Sequence, residues 1–415
     1  MDRFPFVLGL TLLAAAAACG EEKNPQATPE SSASAEPGGP QLGGRIDEAV
    51  QGLASSSAGA LQGDPNQPPP GGIFAAGVAD RAHAPGAPPK LQLLGEGDDP
   101  KIVIGASVPR GKEHVNVLLQ MALGGKPLPA LLLGLDVGPA SAFAADAAGG
   151  DKPKDGPPGA APTGAPAAGS AAAGPADLGP PPSADTPMVA MVSTVALPSM
   201  EGEPPKELVD ALKGAVIKFT MTKTGPTGFS RSFPAGIEQK LLQTVDLEVG
   251  AVEDALTAMY APAPDKPVGE NGYWMVTDRR KSLGAEIIRY RVFTVKEISG
   301  DSAILEIQIK QYMVDEKSDL TAFVRMENPL VVEYTTDAKA AVQVAPGSRF
   351  PKVGQMESLI ETTVIPSAAK GNPQAPRAEL AVQMVAQMGP IELKAPDKKG
   401  DAPKKKPPVP PAPQP

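Results

Sequence analysis

The 415-residue chain is predicted to adopt a mainly β (α+β) fold: a large curved antiparallel sheet with one long amphipathic helix and one short helix, plus long disordered segments. Three observations lead there. Hydrophobicity alternates with period two along most core-forming stretches, one long stretch instead repeats every three or four residues, and the 50 prolines and 44 glycines fall in separate blocks.

The clearest strand runs from Ala303 to Met313, with Leu305, Ile307 and Ile309 on one face and Glu306, Gln308 and Lys310 on the other. The same alternation marks Val115 to Leu123, Ile217 to Met221 and Leu380 to Met388. Turn chemistry separates the runs. Ser299, Gly300, Asp301 and Ser302 predict one tight hairpin, and Leu283-Gly284 predicts another behind the basic Asp278 to Lys281 stretch. Between Glu286 and Ile298 the apolar set moves from Ile288, Tyr290 and Val292 to Phe293 and Val295, which calls for a bulge or burial on both faces. Connections this short join antiparallel neighbours, because parallel strands need a long crossover.

Ile237, Leu241, Val245, Val249, Val252, Leu256 and Met259 form the stripe of one long helix, with Pro234 near its start and Pro262 and Pro264 beyond its end. A short helix is expected over Lys206 to Lys213, stopped by Gly214. The helix is expected to lie across the apolar face of the sheet.

Residues 19–88 are rich in Pro, Gly, Ser and Ala and poor in large apolar side chains, so they read as a disordered tether. Ile46, Val50 and Leu53 within it suggest no more than a transient helix. A second low-complexity block, 139–185, reads as a loop insertion in a single domain covering 89–393. Residues 394–415, which combine prolines with six lysines, read as a stiff basic tail.

The only cysteine, Cys19, follows an apolar run from Phe4 to Ala18 of about fifteen residues, short of the ~20 that cross a bilayer. Ala16, Ala17 and Ala18 before it resemble the lipobox of bacterial lipoproteins. That resemblance implies a signal peptide over 1–18, cleavage between Ala18 and Cys19, and a diacylglycerol thioether on Cys19. Two or three acyl chains hold a protein at a membrane stably where one does not. Without a second cysteine no internal disulfide can form, so stability must come from packing. Gly20 stands where an aspartate favours inner-membrane retention, which implies the outer membrane as the address.

Pro267, Val268, Gly269 and Trp274, behind a proline-rich turn, resemble a family of uncharacterised actinobacterial and proteobacterial envelope lipoproteins over roughly 207–311. The shared pattern is a helix, a Pro-Val-Gly segment leading to Trp, and a hairpin whose Gly300-Asp301 turn precedes an alternating strand. Asn271 departs from it where that family has a second glycine. The resemblance implies fold and location and carries over no catalytic residue.

Catalytic and cofactor chemistry finds little support in the sequence. Of the two histidines, His83 falls in the tether and His114 at a strand start without a nearby carboxylate or cysteine partner, so neither a triad nor a zinc site is expected. Ser367 to Lys370 and Lys223 to Gly225 spell S-x-x-K and K-T-G, but in the reverse of the order that penicillin-recognising enzymes use. Met384 and Met388 share a strand face yet stand about 13 Å apart at ~3.3 Å per residue, too far to share a copper ion. Glu96, Asp98 and Asp99 form an acidic turn that reads as a solvated hairpin tip rather than a cation site. A net charge of −9 argues against nucleic-acid binding, and Arg279, Arg280 and Lys281 read as solvated charge at a hairpin tip.

The expectation is a non-enzymatic lipoprotein without a cofactor or metal, held to the membrane by lipidated Cys19. It either takes a lipid or other hydrophobic molecule into a cleft between sheet and helix, or serves as a structural or partner-binding protein with a filled core. Trp274, Leu305, Ile307, Ile309, Leu380, Val382 and Met384 would line that cleft.

Overall fold

The computed structural model describes residues 68–104, 111–148, 185–198, 205–318, 324, 326–345, 350–351 and 353–391. All of them fall within one compact unit, Gly43–Pro415. The signal segment, Cys19, the tether up to residue 67, most of the 139–185 block and the basic tail lie outside the described residues.

The fold is mainly β, as the periodicity predicts. Thirteen strands form one sheet in which all neighbours are antiparallel. One meander comprises β2 (Glu113–Leu123), β4 (Leu131–Pro139), β5 (Thr186–Ala196), β6 (Val216–Thr222) and β7 (Gly225–Ser232), with the two-residue β3 (Lys126–Pro127) beside β2. A second meander comprises β8 (Tyr273–Ser282), β9 (Ala285–Ser299), β10 (Ser302–Ser318), β11 (Pro329–Val344), β12 (Val353–Pro366) and β13 (Ala378–Met388). β13 pairs with β2, from Val382 opposite Leu123 to Met388 opposite Val117, and fuses the two meanders. The strand β1 (Lys90–Gly95) adds to the outer side of β8. The sheet is not closed: β7 ends it on one side and β1 on the other.

Both expected hairpins form. Leu283 and Gly284 take φ of 43° and 82° between Ser282 and Ala285, and Gly300 takes 59° between Ser299 and Ser302. Positive φ is uncommon for leucine, and burial of the Leu283 side chain in the main core offsets its cost. The irregularity expected in β9 is also present. Ile304 pairs with Glu297 and Leu305 with Val295, so Lys296 is the extra residue.

The long helix α4 (Gln239–Met259) has the expected extent, preceded by α3 (Lys206–Leu212), after which Gly214 at φ 86° stops the turn. Its C-terminal half does not lie on the sheet with one face in solvent. From Val249 to Met259 every residue is buried, and the helix packs against β2, β8, β11, β12 and β13, strands from both halves of the sheet. The sheet therefore curls around it, following the strong coiling that twisted strands accumulate.

Two boundaries differ from the sequence reading. Residues 70–88, expected as tether, form a strap over the outer face of the second meander, made of a 3₁₀ turn at Pro70–Gly72 and the helix α1 (Val78–Ala82). Phe74, Val78 and Ala79 bury against Met275, Ile288, Tyr290 and Val292, and the Phe74 N–H donates to the Met313 carbonyl at 2.9 Å. This second core explains why β9 is buried on both faces. The 139–185 block, expected as disordered from its start, opens with the helix α2 (Ala140–Ala148) directly after β4. At the strap a few apolar residues seat on existing strands, which average composition hides.

The Pro-Val-Gly segment has a packing reason. Val268 is buried and exchanges backbone hydrogen bonds with Ile102, while a Cβ on Gly269 would overlap the Asp98 carbonyl. Asn271 takes φ 62°, which asparagine tolerates, and its side-chain amide donates to Asp98 at 2.9 Å.

Burial on α4 raises the Glu248 carboxyl from its ordinary 4.5 to about 7. The folded state thus keeps a proton that the unfolded chain releases between these values. The contribution of Glu248 is fully present below about pH 4.5 and is lost as pH rises to about 7, roughly 3 kcal/mol at ~1.4 kcal/mol per unit. Compared with the parent chain, Glu248→Gln should flatten this fall and raise the urea midpoint at pH 8, with little change at pH 4.

Candidate functional site

Along β8 the inward positions are Trp274, Val276, Asp278, Arg280 and Ser282, so alternation carries two charges under the helix. On β9 the corresponding positions include Arg289 and Arg291, which are 2% and 1% exposed. Asp278 and Arg289 are direct cross-strand partners. Arg289 donates to Asp278 Oδ2 through Nη2 at 3.0 Å, and Arg291 Nη2 stands 3.1 Å from the same oxygen.

The helix supplies the opposite charges. Arg280 Nη2 lies 2.6 Å from Glu253 Oε1 and 3.1 Å from Asp254 Oδ1, and Ser282 Oγ donates to Asp254 Oδ2 at 2.7 Å. Arg280 and Arg289 both donate to Thr257 Oγ1. Arg291 Nη1 donates to the carbonyls of Thr257 at 2.5 Å and Tyr260 at 2.8 Å, at the helix C-terminus where a cation also meets the negative end of the dipole. Three arginines thus face three carboxylates in a water-poor layer. Burial alone would raise the Asp278 pKa, but Arg289, Arg291 and Arg280 outweigh it and hold the carboxyl below its usual range. For Glu253 burial prevails over Arg280, and its pKa is raised.

This layer reaches the surface where the sheet fails to close. Among the described residues no backbone hydrogen bond joins β7 to β8 or to β1. A cleft of about 290 Å³ lies in the seam, walled by Phe229 and Arg231 of β7, Glu253 of α4, and Asp278, Arg280 and Lys281 of β8. The Arg280 guanidinium stands over the Phe229 ring at 4.9 Å, bridging the seam. Arg231 pairs with Asp246 at 3.0 Å and reaches Glu253 at 3.8 Å, lying so close to Gly250 that any Cβ there would collide with it.

Of the basic cluster at 279–281, only Lys281 is exposed as expected from sequence; Arg279 and Arg280 are not solvated. The turn lies beyond it, and the Arg279 side chain, 6% exposed, is held by Asp80 of the strap at 2.5 Å and by Glu286 at 2.7 Å. A signal was present: Arg289 and Arg291 interrupt an otherwise apolar strand, and Glu253 and Asp254 interrupt the helical stripe.

The structure brings the seven expected cleft residues together as core. Trp274 stacks on Phe293 at 5.3 Å, and it joins Leu305, Ile307, Ile309, Leu380, Val382 and Met384 in one buried cluster with Val249, Val252 and Leu256 of α4. None of them lines the seam cleft.

His83, at the end of helix α1 in the strap, is fully buried instead of lying in a tether, with burial lowering its pKa. His114 does have a carboxylate: Nδ1 is 2.8 Å from Asp136 Oδ1, its cross-strand partner on β4, which sequence distance concealed. In the acidic turn Glu96 is taken up by Lys101 and Lys266, and Asp98 by Asn271. Lys370 of S-x-x-K is held by Glu316 and Lys223 of K-T-G by Asp265, on different hairpins. Among the described residues no group of three or more His, Cys, Asp or Glu is placed to hold a metal ion, and no helix is long and apolar enough to cross a membrane.

Compared with protein families, curated proteins and solved structures, the chain has no match. Its chemistry is therefore argued from the geometry.

Removing one partner of a buried ion pair leaves a charge uncompensated, so Asp278→Asn and Arg280→Ala should each destabilise the domain by about 3–5 kcal/mol. Lys339→Ala, which breaks an exposed pair with Glu357, should leave the urea midpoint nearly unchanged.

Proposed function

We propose that this chain is a non-enzymatic lipoprotein of the bacterial envelope, anchored in the outer membrane through lipidated Cys19, whose β-rich domain binds a partner at its surface. The observation that carries the surface-binding part is the position of α4. A hydrophobic guest would need room behind Leu305, Ile307, Ile309, Leu380, Val382 and Met384, and those side chains are packed in one core with the helix. The alternative of a lipid carrier loses its support there. The anchor rests on the sequence, on the apolar run, the small residues at 16–18 and the lone Cys19.

Two measurements test the halves separately. Cys19→Ser should abolish labelling by radioactive palmitate and move the protein from the membrane to the soluble fraction; unaltered membrane association would refute the anchor. Native mass spectrometry of the detergent-released full chain should give a single mass accounted for by polypeptide and anchor. Additional lipid-sized adducts, present in stoichiometric amount, would return the carrier reading.

A further inference from the structure

The strap is fastened to the sheet at three places. Ile73 and Phe74 sit beside Met313, just past the end of the β10 to β11 ladder at Ile309 and Ala338. Phe74, Val78 and Ala79 fill the apolar seat on the outer face of the second meander. Beyond them the strap closes with His83, whose N–H caps α1 on the Ala79 carbonyl and whose own carbonyl accepts from Arg279 Nη1 at 3.1 Å.

That last fastening is a titratable side chain in a place unsuited to charge. Nδ1 of the buried ring lies 3.2 Å from the Ala84 carbonyl, which can only accept, so the neutral ring carries its proton on Nδ1. Nε2 is then a bare acceptor, buried with no hydrogen-bond partner among the described residues. Two cations stand at the same end of the strap: Arg279 of β8, and Lys90 of β1, whose Nζ donates to the Ala82 carbonyl at 3.2 Å. The carboxylates around it are engaged. Asp80 of α1 and Glu286 of β9 both pair with Arg279, and Asp278 of β8 pairs with Arg289 and Arg291. Burial lowers the His83 pKa and Lys90 adds to this, against the Ala84 and Pro88 carbonyls and Asp278, which favour the proton. A second proton on the closed ring places a charge in a dry site, whereas a lifted strap hands it to water.

We propose that the strap is a proton-operated latch, closed over the second meander while His83 is neutral and lifted when mildly acidic surroundings charge the ring. Lifting uncovers Met275, Ile288, Tyr290 and Val292. Well above pH 6.5, the ordinary histidine value, the ring is neutral in both forms and favours neither. As pH falls below it, the lifted strap takes up a proton that the closed strap does not. The opening constant then rises by up to about tenfold per unit, until the closed form is protonated as well. Glu248 acts in the opposite sense, because its contribution to the core grows as pH falls from about 7 to 4.5. Acid thus loosens the strap while it tightens the core. The latch is independent of the anchor and of the surface-binding reading.

Hydrogen exchange read by mass spectrometry on the full chain in detergent, corrected for the intrinsic rate at each pH, tests the latch. Protection of peptides covering 70–88 is expected to fall about five- to tenfold between pH 7.5 and 5.5, while that of 303–309 in β10 does not fall. His83→Gln, which cannot take the charge, should abolish the fall. A second readout leaves the latch residue in place. In His114→Gln, where His83 is the only histidine, NMR of the labelled ring should show it titrating below 6.5, and the strap should still loosen. Strap protection that is unchanged with pH, an equal fall in His83→Gln, or a ring that titrates at 6.5 or above would each overturn the proposal. So would a fall shared equally by 303–309, which marks loosening of the whole domain.

Discussion

A helix carrying Glu253, Asp254 and Thr257 can be enclosed by a sheet only if the strands meet those groups with matching chemistry. Arg280, Arg289 and Arg291 do so, and the curled architecture depends on that match. Desolvating three arginines and three carboxylates costs a large free energy, which mutual attraction and the added hydrogen bonds largely offset. The net gain in stability is small, but the arrangement is selective. Arg291 reaches the last carbonyls of α4 and Arg280 reaches the carboxylates about one turn earlier, so a shift of the helix along its axis or about it would strand several charges in a dry interior. The apolar packing around Trp274 and Phe293 supplies the bulk of the burial, and the ionic layer selects which of many apolar packings is adopted.

Much of this fold can be read from the sequence where one physical signal dominates. The alternation from Leu305 to Ile309 and the stripe from Val245 to Met259 each bury one class of side chain, and both elements form where expected. The turns at Leu283-Gly284 and Gly300-Asp301 need positive φ, and that need is visible locally. The charged seam was not legible for the opposite reason. In β8 the pattern Trp-Met-Val-Thr-Asp-Arg-Arg-Lys turns polar toward its end, and polar residues beside a turn ordinarily mean water. Only the partners Glu253, Asp254 and Arg289, supplied by another element or the neighbouring strand, reveal that these charges point inward. The pairing of Asp136 with His114 is hidden in the sequence for the same reason, since β-sheet contacts join residues far apart in the chain.

The strap shows a related limit. Between Pro70 and Pro89 only a handful of large apolar residues occur, too few to fold alone, yet Phe74 and Val78 need only a seat on an existing sheet. That seat lies on the outer face of β8 to β10, where Met275, Ile288, Tyr290 and Val292 would otherwise leave an apolar patch in water. The strap and the apolar outer residues of β9 explain one another, and neither is intelligible alone.

The junction between β13 and β2 has a kinetic consequence. Val382 and Leu123 are paired neighbours although nearly the whole domain lies between them in the chain, and α4 is enclosed by strands on both sides of that junction. Such non-local pairing must bring distant segments together before burial rewards it, so the domain belongs with slow-folding, high-contact-order topologies. During synthesis, β2 can pair with β4 at once but waits for its other neighbour until β13 has been made. Until then the helix has its arginines from β8 and β9 but lacks the packing of β13 and of the joined sheet around it.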